Sequence, residues 1–222
     1  MVNRHFKDRL FRKIFGTEEN RENALSLYKA LGGNKDATVD ELRITTIENA
    51  IYMGMRNDVS FLVQAEMFLC EQQSSYNPNM PLRGLVYLGR LYERYVDSSE
   101  INIFSRKRQP IPMPRYFVLY NGKEDRKDET LLLSDSFPPG CNPNLSSVEV
   151  RASMININRG ENEDLLRSCL ALKEYSDFTS DVAEGEKAGM SIEEALDKAL
   201  DKAKKRPCLG SFFRANRDDI SI

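Results

Sequence analysis

The stretch MRNDVSFLVQAEMFLCEQQSSYNPNMP, residues 55–81, decides how this chain folds. Its two apolar runs, 58–63 and 67–73, are rich in Val, Phe, Leu and Met and are separated by a short polar break, the spacing of a β-hairpin. Asp58, Glu71, Gln72 and Gln73 interrupt this otherwise apolar sequence. A buried carboxylate is costly unless it is paired or bound to a metal, so these residues mark either a solvent-facing edge or a site.

Side chains two apart on a strand share a face, which sets Glu71 and Gln73 on one side and Cys70 and Gln72 on the other. An antiparallel hairpin centred near residue 65 pairs residue 58 with residue 72 or so, and brings Asp58 beside Glu71 and Gln73. Two converging carboxylates repel unless a divalent cation between them favours both as anions. Oxygen ligands alone suit Mg²⁺ or Mn²⁺ rather than zinc, and such a centre supports phosphodiester hydrolysis. Gln73 can orient a water or a phosphate through hydrogen bonds, but it is neutral and is no base. The same residues also fit a polar hairpin edge, with Asp58 capping a turn after Asn57 and the glutamines facing solvent.

Outward from the hairpin, Phe6, Leu10, Phe11, Ile14 and Phe15 recur at helical spacing over 4–15, and a second helix is expected from about Glu19 to Leu31. A first strand is expected at 42–52. Pro81 suits the first turn of a helix whose apolar positions Leu82, Leu85, Val86, Leu91, Tyr92 and Tyr95 are expected to pack on the sheet. RYFVLYNG, LLLSDSF and VEVRASMININ read as further strands, and helical spacing returns at 162–182 and 191–206. The order α, α, β, β, β, α, β, β, β, α, α implies an α/β fold, a mixed sheet flanked by helices.

The 222 residues are enough for one sizeable core, and 41% hydrophobic with 30% charged residues is ordinary globular composition. Four scattered cysteines, without a CxxC pair, read as free thiols of a reducing, cytoplasmic compartment. No membrane span or signal peptide is expected. With His5 as the single histidine, histidine triads and HExxH zinc sites are excluded, and no phosphate-binding glycine loop follows a strand. The net charge of −2 gives no global pull on nucleic acid, yet RHFKDRLFRK, SRKRQ and KAKKR are local basic runs that permit a polyanion partner.

The blocks YMGMRNDVSFL and EQQSSYNPNMPLRG, with INIF, PMPRYFVLYNG, LLLSDSF and ININRGEN after them, resemble the Rpn group of recombination-promoting nucleases, also described as transposase-like. KDRLFRKIFG is similar to that group's D-x-x-F-K opening, with Arg12 where lysine is common. The resemblance covers most of the chain. It implies a PD-(D/E)XK, restriction-endonuclease-like αβββαβ core at 1–160, a C-terminal helical extension at 161–222, and a magnesium-dependent DNA endonuclease active in recombination or mobile elements. The group's D…ExQ motif falls on Asp58, Glu71 and Gln73, with Asp58 and Glu71 as the metal ligands. Asp8, Glu19 and Glu22 are candidates for a third acid on the first helices, and Arg56 and Arg83 for phosphate contacts. A homodimer would suit double-strand cutting. The competing expectation is an inactive relative that binds DNA or protein.

Overall fold

The computed structural model describes residues 6–46 and 59–217. Two helices lead the chain, α1 (Phe6–Phe15) and α2 (Arg21–Ala30), the second entered through a 3-10 turn at Glu18–Asn20. Three strands follow, β1 (Leu42–Ile44), β2 (Val59–Val63) and β3 (Glu66–Gln73), and then the long helix α3 (Met80–Asp97), which has proline in its first turn. Strands β4 (Met113–Tyr120), β5 (Glu129–Leu132) and β6 (Arg151–Asn156) complete one six-stranded sheet in the order β1-β2-β3-β4-β6-β5. The sheet is mixed. β2 runs antiparallel to β1 and β3, β5 is antiparallel to β6, and β3, β4 and β6 are parallel.

Alternation along the strands builds two hydrophobic layers. Val59, Phe61, Val63, Phe68, Cys70, Phe117 and Leu119 face α1, α2 and the C-terminal helices, whereas Leu62, Met67, Leu69, Tyr116, Val118 and Tyr120 face α3. On the first face Phe61 stacks on Phe68 at 5.4 Å, Phe68 on Phe117 at 5.5 Å, and Tyr28 meets Phe68 edge-on at 4.8 Å. This ring ladder joins β2, β3 and β4, and each such pair adds about 1 kcal/mol beyond its buried area. On the second face, α3 approaches β4 closely because Gly84 has no side chain. A Cβ there would lie 2.4 Å from the Tyr116 ring.

The expected 162–182 helix is two helices, α4 (Glu163–Ser168) and α5 (Leu170–Lys187), broken where Cys169 takes extended backbone angles. Helix α6 (Ile192–Ala203) starts at a capping box made by Ser191 and Glu194, and α7 (Gly210–Ala215) adds a helix that periodicity did not suggest. At six residues α7 is too short to show a period. Its Phe213, with Leu172, Tyr175, Phe178, Leu196 and Leu200, joins the core over α1 and α2. LLLSDSF is strand only up to Leu132 and then a 3-10 turn. Of the expected first strand, 42–44 is strand and 47–52 lies outside the described residues.

Candidate functional site

The β2–β3 hairpin turns through Gln64 and Ala65, and its register pairs Val59 with Cys70. This register differs by one residue from the arithmetic centred on 65, because the hairpin turns between 64 and 65 rather than on one residue. Asp58 and Arg56 lie outside the described residues. Glu71 and Gln73 share the face towards α3, while Gln72 faces α1 and α5, as strand alternation requires. Gln73 is half-buried at the carboxyl end of β3.

Glu71 has no exposure to solvent. Tyr116 on β4 donates a 2.8 Å hydrogen bond to its Oε1, and Nη2 of Arg83, from the second turn of α3, lies 2.6 Å from its Oε2. That second contact is a close ion pair without hydrogen-bond alignment, so Oε2 has charge opposite it but no directed donor. Burial pushes the Glu71 carboxyl up to about 7, against the opposing pull of Arg83 and the Tyr116 hydroxyl, and the nearby Asp8 carboxylate adds to the rise. For Arg83 burial acts downward but is outweighed by Glu71 and Tyr87, and the guanidinium is held above its ordinary value. The pair is therefore compensated on the arginine side, where a third of the side chain still meets water, and incompletely on the carboxylate side, where none does. Burial and the Glu71 charge raise the Tyr116 hydroxyl well above its usual range, which keeps it a donor.

Through the sheet, a second polar cluster lies at the same strand ends. The Gln72 carboxamide sits between Asp8 of α1 and Asn121, which follows β4. Its NH2 group either donates to Asn121 Oδ1 at 2.6 Å or faces Asp8 Oδ1. The second orientation also turns its oxygen to the backbone N–H groups of Gln73 and Ser74, at 3.1 and 3.2 Å, and we assign that one because a carboxylate only accepts. Lys7 donates to the Asn121 backbone oxygen at 3.1 Å. Desolvation lowers its amine to about 8, the largest opposing influence being Glu186.

The structure thus brings together Glu71, Arg83 and, by its electrostatic influence, Asp8; it leaves Glu19 and Glu22 exposed on the surface. Arg83 is not a solvated side chain but the partner of Glu71. Sequence reasoning missed Tyr116, Asn121 and Lys7. RYFVLYNG identified a strand, but only the parallel register that sets Val118 beside Glu71 and Leu69 beside Tyr116 puts that hydroxyl at the carboxylate. Among the described residues no three of His, Cys, Asp and Glu are grouped to hold a metal ion. Of the described acids, Glu71 has a buried Oε2 that lacks a directed donor, and Asp8 acts on it electrostatically. The basic run at 202–206 is largely structural, since Lys202 and Arg206 pair with Asp181 and Lys204 with Asp201.

No protein-family model, curated protein or solved structure matches the chain. No described helix is long and apolar enough to cross a membrane.

Proposed function

We propose that this chain is a metal-dependent endonuclease that hydrolyses DNA phosphodiester bonds, on a restriction-endonuclease-like core. The observation that carries the reading is Glu71, a fully buried carboxylate at the carboxyl end of a central strand with an Oε2 that no donor is aimed at. Its environment suits a hard cation, because burial alone disfavours the anion and a divalent charge would reverse that penalty. Glu71 with Asp58 would hold magnesium or manganese, and Asp8 adds negative charge nearby. A metal bound there supplies the charge that polarises a phosphodiester and activates water. The chain's own residues orient and exclude: Tyr116 fixes the Glu71 carboxylate by its hydrogen bond, Gln73 on the same face aligns the attacking water, and Arg83 can turn from Glu71 to a phosphate oxygen. The resemblance to recombination-promoting nucleases supports the same assignment.

The test is plasmid nicking by the purified protein in Mg²⁺, beside Asp58→Ala and Glu71→Ala. Both variants are expected to lose at least a hundredfold in rate, and equal nicking by all three proteins would defeat the reading.

The Arg83 ion pair favours a second reading, an inactive relative in which Glu71 is a structural anchor for α3 and the protein binds DNA or a protein partner. Magnesium titration followed by thermal unfolding separates the two. A functional centre raises the midpoint as metal is added, because metal binds the folded state alone, whereas an anchor gives no response.

A further inference from the structure

Helix α3 begins beside Glu71 and runs back along the sheet towards the β2–β3 turn. Between it and the edge strand β1 lies a groove of about 240 Å³, lined by Arg43 and Thr45 on one side, Leu62 and Met67 below, and Arg94 and Tyr95 on the other. Arg43 pairs in register with Leu62 and so faces the α3 side of the sheet. Along α3, Arg83, Arg90 and Arg94 recur at intervals of seven and four and share one flank, the flank that Arg94 presents to the groove. That flank carries one acid, Asp97 at the helix end. Arg83 is paired with Glu71, but Arg43, Arg90 and Arg94 have no ion-pair partner among the described residues. Arg43 and Arg94 line the groove and Arg90 extends the row one turn back along α3, a concentration of positive charge among the described residues of a chain whose net charge is −2.

We propose that this groove is the track for the phosphate backbone of duplex DNA, with Arg43, Arg90 and Arg94 as phosphate contacts that lead the strand to Glu71. The proposal rests on the nuclease reading for its ligand. Arg90 and Arg94 lie about 6 Å apart along α3, close to two phosphate steps of one strand at about 3.4 Å each. Arginine suits phosphate because its planar fork donates two parallel hydrogen bonds. A concave groove favours a strand over a bilayer, which approaches a convex apolar face.

The experiment is fluorescence anisotropy of a labelled 30-base-pair duplex in EDTA, which prevents cleavage. Wild type is compared with Arg43→Gln/Arg90→Gln/Arg94→Gln and with an equal loss of charge elsewhere, Lys187→Gln/Lys198→Gln/Lys205→Gln. The groove variant is expected to bind at least tenfold more weakly at about 0.1 M salt, and its log–log salt slope to fall by about 2 to 3, near 0.9 for each phosphate no longer neutralised. The lysine variant is expected to stay within about twofold of wild type. If the triple variant unfolds, Arg94→Gln alone is read by a slope decrease of about 1. The proposal is overturned if the groove variant keeps the wild-type affinity and slope, or if wild type does not bind the duplex. It is also overturned if the substitutions abolish cosedimentation with anionic phosphatidylserine vesicles while sparing DNA. Plasmid nicking distinguishes the two claims: DNA held through the arginines but never cut in Mg²⁺ removes the nuclease reading and keeps the groove, whereas undiminished cutting by the groove variant does the reverse.

Discussion

Glu71 is held by three different devices: a strand that buries it, a tyrosine that donates to one oxygen, and an arginine that sets charge against the other. Removing the donor isolates its contribution. Tyr116→Phe keeps the ring that packs on α3 and loses a hydrogen bond to a buried charged group, so urea unfolding should show a loss of about 2 kcal/mol. Lys7 gives the opposite case, a cation that the fold disfavours. Its amine titrates near 8 in the folded protein and at its ordinary 10.5 when unfolded, so between these values the unfolded chain binds more protons. Stability should therefore rise with pH from about 8 to 10.5, and Lys7→Met should flatten that rise and stabilise the protein at pH 7 by about 1 kcal/mol, measured by urea titrations across the range.

At the scale of the element, α3 shows how backbone approach sets a site. Arg83 reaches Glu71 because the helix lies close on β4, and it does so because residue 84 is glycine. Gly84→Ala gains about 1 kcal/mol in helix propensity, yet its Cβ meets the Tyr116 ring at 2.4 Å and forces the ring or the helix to move. A net loss of about 1 to 3 kcal/mol is expected, with the thermal midpoint lowered and the Glu71–Arg83 pair stretched. Helix α6 is a simpler case. The Ser191 side chain accepts the Glu194 N–H at 3.2 Å and Glu194 accepts the Ser191 N–H in return at 2.9 Å, so Ser191→Ala should cost about 1 kcal/mol in chemical denaturation.

For the whole molecule, the C-terminal helices belong to the same core as the N-terminal ones. Glu174 on α5 is buried but accepts the backbone N–H groups of Cys208 and Leu209, and Phe213 sits against Phe178 at 4.9 Å. Ending the chain at Arg206 would leave a buried carboxylate without donors and expose Phe178. Such a truncation should unfold well below the full chain's thermal midpoint, with loss of more than about 3 kcal/mol. Asp181 binds the same region together through Arg159, Lys202 and Arg206.

Much of this architecture was legible in the residues. Alternation at 66–73 set which side chains share a face, Pro81 marked the entry to α3, and helical spacing found α1, α5 and α6, because each signal repeats within a few residues of itself. The break at Cys169 and the short α7 escaped, since one extended residue and a six-residue helix carry no period. The sequence by itself determined the mixed α/β order and the placing of Glu71 and Gln73 on one face of a strand, since these follow from local chain geometry. Only the tertiary structure decided that Glu71 is sealed from water and paired with Arg83 and Tyr116, because those contacts join residues 12 and 45 positions away in the chain through strand register and helix approach.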